Sequence, residues 1–285
     1  MGGLPPISSQ TSQSRFYQAL GAHLMQPGTT RIAWQVWAVW FAIFALYSAF
    51  LPRDAGYDIA HYHLHNGWSA LNGRMGQDLA PADFHSFVNP VHSMLVWWLI
   101  ERLPGPIVMA LLSPIHSAVL PVLYALGARI MARLELKFDP LVLLIFAMTG
   151  YLALGHTLMH ASVGNDHWGV LAFLIALVLA IRPPDETINA RALLFGSFAL
   201  GAAVGMKLTN AVYVPGYALF VLVLAPNWTD RAKSAALCAV AGLLGAALRA
   251  ALEEVDSGRS GAIFMQRRRV AGGMRCKGFS DKAVK

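Results

Sequence analysis

From Ile32 to Leu51 the chain runs for twenty residues without a charged side chain, and seven further apolar runs follow it. A helix needs ~20 apolar residues to cross a bilayer, so the first run is long enough to span one. It is too long for the core of a signal peptide and no small-residue cleavage site follows it, so it reads as a retained first span. Residues 1–30 then form a polar, disordered leader on the cytoplasmic side. Composition agrees. The chain is 56% hydrophobic and only 13% charged, too little charge to cover a soluble domain of 285 residues. Mean hydropathy is +0.50. The net charge of +7 is concentrated at one end, because nine of the 22 Lys and Arg residues lie in the last 37. It is therefore a tail effect and no sign of a nucleic-acid partner. Cys238 and Cys276 are too few and too far apart for a disulfide framework.

The later runs are Val91–Leu103, Pro106–Leu134, Pro140–Leu154, Trp168–Ile181, Ala192–Met206, Val212–Ala225 and Ala235–Leu248. Val91–Leu103 is the shortest and carries Glu101 and Arg102 near its end, which suits a re-entrant or interfacial helix. If it does not cross, Arg15, Arg31, Arg129, Arg133, Lys137, Arg182, Arg191, Arg231 and Lys233 all fall inside. Only Arg53, Arg74, Arg102 and Lys207 fall outside, as the positive-inside rule asks. If it crosses, three basic clusters move outside. The expected fold is an all-α, polytopic transmembrane helical bundle of about seven spans, with interfacial helices in the first outer loop.

Two polar segments then share the outer face: the loop 52–105 and "GHTLMHASVGNDHW", Gly155–Trp168. Together they hold eight of the ten histidines. In "GYDIAHYHLHNGWSALNGR", Gly56–Arg74, a helical projection puts Asp58, His61, Tyr62, His65, Ser69 and Asn72 on one side. Ala60, Leu64, Trp68 and Leu71 take the other side, with His63 on the flank. Such a helix suits the membrane surface, with Trp68 at headgroup depth. Asn72-Gly73 is a stop signal. Each polar residue also has a plain structural reading. Asp58 and Asp166 can cap helix starts, and Lys207, at an outer turn in "GMKLTN", can snorkel. His61 and His65 have metal-binding spacing without a located third ligand.

The order of parts is similar to that of a known superfamily. A first span leads to a long outer loop with an early aspartate, then Asn89-Pro90 before a short apolar helix. A span ending in basic residues follows, then another leading to an outer loop with an acidic residue. This resembles the GT-C superfamily of integral membrane glycosyltransferases over roughly residues 30–248. The string "YHLHNGWSALNGRMGQDLAPADFHSFVNPVHSMLVWWL" looks most like a bacterial branch of it. The resemblance implies residence in the bacterial inner (plasma) membrane, as part of the cell envelope machinery. It also implies transfer of a sugar, of the hexosyltransferase class, from a polyprenyl-phosphate donor to an acceptor at the outer face. Asp58 best matches the family's first-loop base, and Asp166 its second acidic residue. A carboxylate can take the acceptor's proton as the bond forms, and a cation can hold the departing phosphate. Lys207 is the first candidate for that phosphate, with Arg74 and His156 as helpers. Some members use a divalent metal. This chain departs from them in having Asn89-Pro90-Val91-His92 where a His-Pro-Pro pattern is usual, and no Asp-Glu pair in its first loop, so the metal and the acceptor stay open.

Two other classes fit parts of the pattern. One is a non-enzymatic transport or scaffold protein, which ionisable residues inside spans, such as His116, would favour. The other is a metal-dependent membrane oxidase built on His-x-x-x-His boxes. Beyond Leu248 the sequence turns basic and Gly-rich, placing a strongly positive tail, 249–285, outside. That conflict suggests a frameshift or truncation near residue 249 and an inactive product.

Overall fold

The computed structural model describes residues 31–52, 58–75, 89–152, 160, 162–182, 189–225 and 227–247. The expected leader, residues 53–57 and 76–88 of the first outer loop, and the tail 249–285 lie outside the described residues. Within them the fold is all-α, with no strand. The helices are α1 (Arg31–Phe50), α2 (Leu64–Leu71, entered through a π turn Ile59–His63), α3 (Val91–Ile100) and α4 (Gly105–Ser117). They continue with α5 (Val119–Arg133), α6 (Pro140–Tyr151), α7 (Asp166–Ala180), α8 (Ala190–Met206), α9 (Tyr213–Leu224) and α10 (228–247). A 3-10 turn, Leu208–Val212, joins α8 to α9.

Local chemistry sets several of these ends. Asp139 Oδ1 accepts from Leu141 N at 2.7 Å and Val142 N at 3.4 Å, and Pro140 sits in the first turn of α6. Asn189 Oδ1 does the same for Arg191 and Ala192 at the start of α8. Helices α4 and α5 run on as one 29-residue rod, Gly105–Arg133, long and apolar enough to cross a membrane. Of the expected crossings this one meets that criterion. Among the described residues the shorter apolar stretches, Gln35–Phe50 of α1 with α3, α6, α7, α8 and Leu208–Leu224, have 10–17 residues, short of the ~20 a crossing needs.

The rod has a joint. Pro121 has no N–H to give Ser117 O four residues earlier, so that carbonyl loses its helical donor. The indole Nε1 of Trp40 supplies one at 2.9 Å, fastening α1 to the middle of the rod. Around that fastening Leu120, Tyr124, Tyr151 and Leu174 bury together, with Trp37, Trp40 and Phe44 against them. A second core joins α7, α8 and α9 through Ala176, Leu193, Leu200, Tyr217 and Val221. A third joins α3 and α4 through Val96, Leu99, Val108 and Leu112.

The bundle has two unlike ends. At one, Arg129 donates to Val178 O at 2.7 Å and Ile181 O at 3.1 Å, closing the C-terminus of α7. Arg133 reaches Arg182 O at 3.4 Å beside it. At the other, the starts of α3 and α7 meet the end of α8. Between them, large apolar side chains face outward on α1, α6, α9 and α10, Phe50, Phe146, Val223 and Leu243 among them.

Candidate functional site

Asp58 opens the π turn that leads into α2. Its side chain caps no backbone N–H. Instead the Tyr62 hydroxyl donates to it, and burial together with that bond pushes the Tyr62 phenol above its ordinary range. The wide turn brings Tyr62 and His63 inward together, both buried, while His61 stays exposed. The buried stripe is therefore Ile59, Tyr62, His63, Asn66, Gly67 and Ala70. The expected polar stripe is divided: Asp58, His61 and Asn72 are exposed, His65 is half-buried near Trp68, and Tyr62 and Ser69 are covered. The stripe turns because α2 does not lie on a flat surface. It packs on α3, and a Cβ on Gly67 would stand 2.1 Å from Ser93 O.

Helix α3 carries two residues that tie the site together. Asn89 Oδ1 accepts from Val91 N at 2.9 Å, and its Nδ2 donates to Gly205 O at 3.0 Å. One buried amide thus caps α3 and holds the end of α8. His92, buried, is engaged at both ring nitrogens. Nδ1 accepts from Trp168 Nε1 at 3.1 Å, so Nε2 carries the proton and donates to Val163 O at 2.7 Å. Burial lowers the His92 pKa below its ordinary value.

Lys207 breaks α8 with an extended backbone, after which Asn210 folds back to donate to Ala203 O at 2.8 Å. The tight return depends on Gly169, whose Cβ would overlap the Asn210 amide at 2.0 Å. The break sends the Lys207 ammonium to Asp166, in the first turn of α7, and the two form an ion pair. Neither is sealed in: the Asp166 side chain is 55% exposed and that of Lys207 23%. An apolar groove of 460 Å³ adjoins the break, running between α8, α9 and α10 from Val204 and Val214 past Tyr217.

His63 registers how these parts meet. Its pKa is lowered to about 4, first by burial, then by His92 and Lys207, while Asp58 and Asp166 pull it upward. Its ring lies 6.4 Å from that of His92, and Nδ1 faces Ser93 Oγ at 3.5 Å. Asp58, Asp166 and Lys207 therefore all act on one buried imidazole. Arg74 stands beyond the other end of α2, its guanidinium 5.6 Å over the Trp68 ring. His156 lies outside the described residues. His92 and Asn89 carry the junction, yet only Asn89-Pro90 stood out in the sequence, as a helix start. Nothing in the spacing marks His92.

A second histidine group lies inside the bundle. His160 faces Tyr151 OH at 2.6 Å and Ser48 Oγ at 3.4 Å. Its ring is 5.4 Å from His116, which is 4.5 Å from His167. Among the described residues no three His, Cys, Asp or Glu side chains converge to hold a metal ion. The pairing expected of His61 and His65 leaves one exposed and the other beside Trp68.

Comparison with known families, curated proteins and solved structures found no match.

Proposed function

We propose that the chain is a polytopic membrane glycosyltransferase that moves a sugar from a polyprenyl-phosphate donor to an acceptor at the outer membrane face. The observation that carries this reading is the Lys207–Asp166 ion pair at the end of the bundle away from Arg129 and Arg133, with Asp58 near enough to act electrostatically on the same buried His63. Three further features support it. Outward-facing apolar side chains between the ends suit lipid contact. Basic residues at the far end suit a cytoplasmic side. The apolar groove that Val204, Val214 and Tyr217 line suits a long hydrocarbon tail.

In this reading Asp58 takes the proton from the acceptor hydroxyl as its oxygen bonds to the anomeric carbon. The bond from that carbon to the phosphate oxygen breaks, and the polyprenyl phosphate leaves with the electron pair. Lys207 holds the leaving phosphate, turning from Asp166, which is exposed enough to stay solvated. Seven crossings place all three residues outside.

The test is turnover of radiolabelled polyprenyl-phosphate sugars in proteoliposomes, with wild type against Asp58→Asn at equal protein abundance. Transfer by wild type and none by the variant is expected. Transfer that survives in Asp58→Asn moves the base elsewhere, and no turnover of any such donor removes the reading.

A non-enzymatic carrier is the second reading. It draws on three buried imidazoles, with His116 lying between His160 and His167.

A further inference from the structure

His92 joins the two halves of the site through both of its ring nitrogens. Through α3 it belongs to the Asp58 half, since α3 carries α2 and the π turn on its Gly67–Ser93 contact. Its ring nitrogens both reach the other half: Val163 O just before α7, and the Trp168 indole in the first turn of α7. Asp166 lies between those two contacts in sequence. The hydrogen bonds therefore bracket the carboxylate in sequence and fix the backbone from which it reaches Lys207.

The bracket works in one protonation state. The Trp168 indole N–H can only donate, so Nδ1 of His92 must carry no proton. An imidazolium has N–H on both nitrogens, and its new Nδ1–H would point at the indole N–H across 3.1 Å. Two donors facing each other across this partly buried contact leave both unsatisfied, and one of them must move away. The His92 ring is buried while Val163 and Trp168 are half-exposed, so the segment Val163–Trp168 is the one to swing.

We propose that His92 is an acid-sensitive positioning residue: neutral, it clamps the start of α7 to α3, and its protonation releases the Asp166 end of α7 from α3. The charged and titratable groups acting on it are His63 from the π turn, Asp166 from α7 and Lys207 from the end of α8. Asp166 favours the charged ring, while Lys207 and burial oppose it. The importance given to Asp166 rests on the functional reading above. The clamp itself is a matter of hydrogen-bond polarity and stands without any transferase activity.

Hydrogen exchange of the full chain in lipid nanodiscs tests it, read at the amides of 162–168 and corrected for the intrinsic pH dependence, with α5 amides as internal reference. Between pH 7.5 and pH 4, wild type is expected to lose protection at 162–168 by tenfold or more while α5 keeps its own. His92→Gln, whose amide can accept from the indole and donate to Val163 at every pH, is expected to stay protected throughout. An unchanged wild type, a loss that α5 shares equally, or a His92→Gln variant with the wild-type acid step each overturns the proposal. Should His92→Gln be unprotected at both pH values, Trp168→Phe decides. Weakened, pH-independent protection in that variant supports the clamp, because no indole N–H remains to oppose the second proton. A wild-type acid step there overturns it. Loss of transfer in Asp58→Asn has no bearing on this readout, so failure of the clamp and failure of the enzymatic reading are told apart.

Discussion

Lys207 donates to Asp166 across a gap of 41 residues, and the ion pair links the break after α8 to the first turn of α7. An aspartate at a helix start commonly serves the backbone. Here no side-chain cap bond is made at the start of α7, and the carboxylate faces an ammonium instead. The pair is partly open to solvent, where an ion pair adds little to stability. Its placement matters more for what it can bind than for holding the fold.

Lys207→Ala should accordingly spare the fold and impair donor use. Loss of one charged hydrogen bond to a phosphate costs about 1.5–3 kcal/mol, roughly ten- to hundredfold. The expected outcome is a rise of that order in KM for the polyprenyl-phosphate sugar, with KM for the acceptor unchanged. Kinetics with only an acceptor defect contradict the assignment.

Gly67→Ala should loosen α2 from α3. The new methyl would fall 2.1 Å from Ser93 O, a backbone atom that has no rotamer to escape into. Overpacking of this kind costs typically about 1–3 kcal/mol. A lower unfolding temperature, together with protease sensitivity confined to 58–75, is the expected signature. Wild-type stability in that variant would mean the two helices lie further apart.

Asn89→Ala removes a helix cap and a buried bond at once. Val91 N loses its acceptor and Gly205 O its donor. A cap is worth about 1 kcal/mol and an orphaned buried carbonyl about 1–3 kcal/mol. Asn89→Asp separates the two roles, because a carboxylate can still cap but cannot donate to Gly205. Chemical denaturation should rank the three proteins wild type, Asp, Ala; equal stability of Asp and wild type removes the Gly205 bond from the account.

Acid should destabilise the fold through His63 and His92. Both have folded-state pKa values below the ordinary 6.5, His63 at about 4, so the native chain binds fewer protons than the unfolded one. Their contribution is complete above about pH 6.5 and is lost as pH falls toward 4. Thermal unfolding at stepped pH should show the midpoint fall across that window, and His63→Gln should flatten the slope. A midpoint constant from pH 7 to pH 4.5 would show that neither ring is held neutral.

Much of the scaffold was legible in the residues. Apolar runs predicted the helices from α4 to α9 to within a few residues, and the end but not the start of α10, because burying a helical face requires apolar side chains wherever the fold ends up. Asp139-Pro140 and Asn189 announce their own helix starts, since a cap bond forms within three residues of chain. The pairing of Asp58, Asp166 and Lys207 as candidates also came from the sequence, through resemblance and topology.

The face of α2 and the role of His92 belong to the tertiary structure. A helical projection assumes a regular turn, and the π turn at Ile59–His63 breaks that regularity just where the polar residues lie. Which face is buried was then decided by the Ser93 carbonyl on a neighbouring helix, which admits a glycine and little else. His92 became a two-ended clamp only when a carbonyl 71 residues away and an indole 76 residues away arrived at its nitrogens. Hydropathy and capping are properties of neighbours along the chain, so sequence determines them. A tautomer is chosen by whichever donor and acceptor the packing delivers, and that is settled in three dimensions alone.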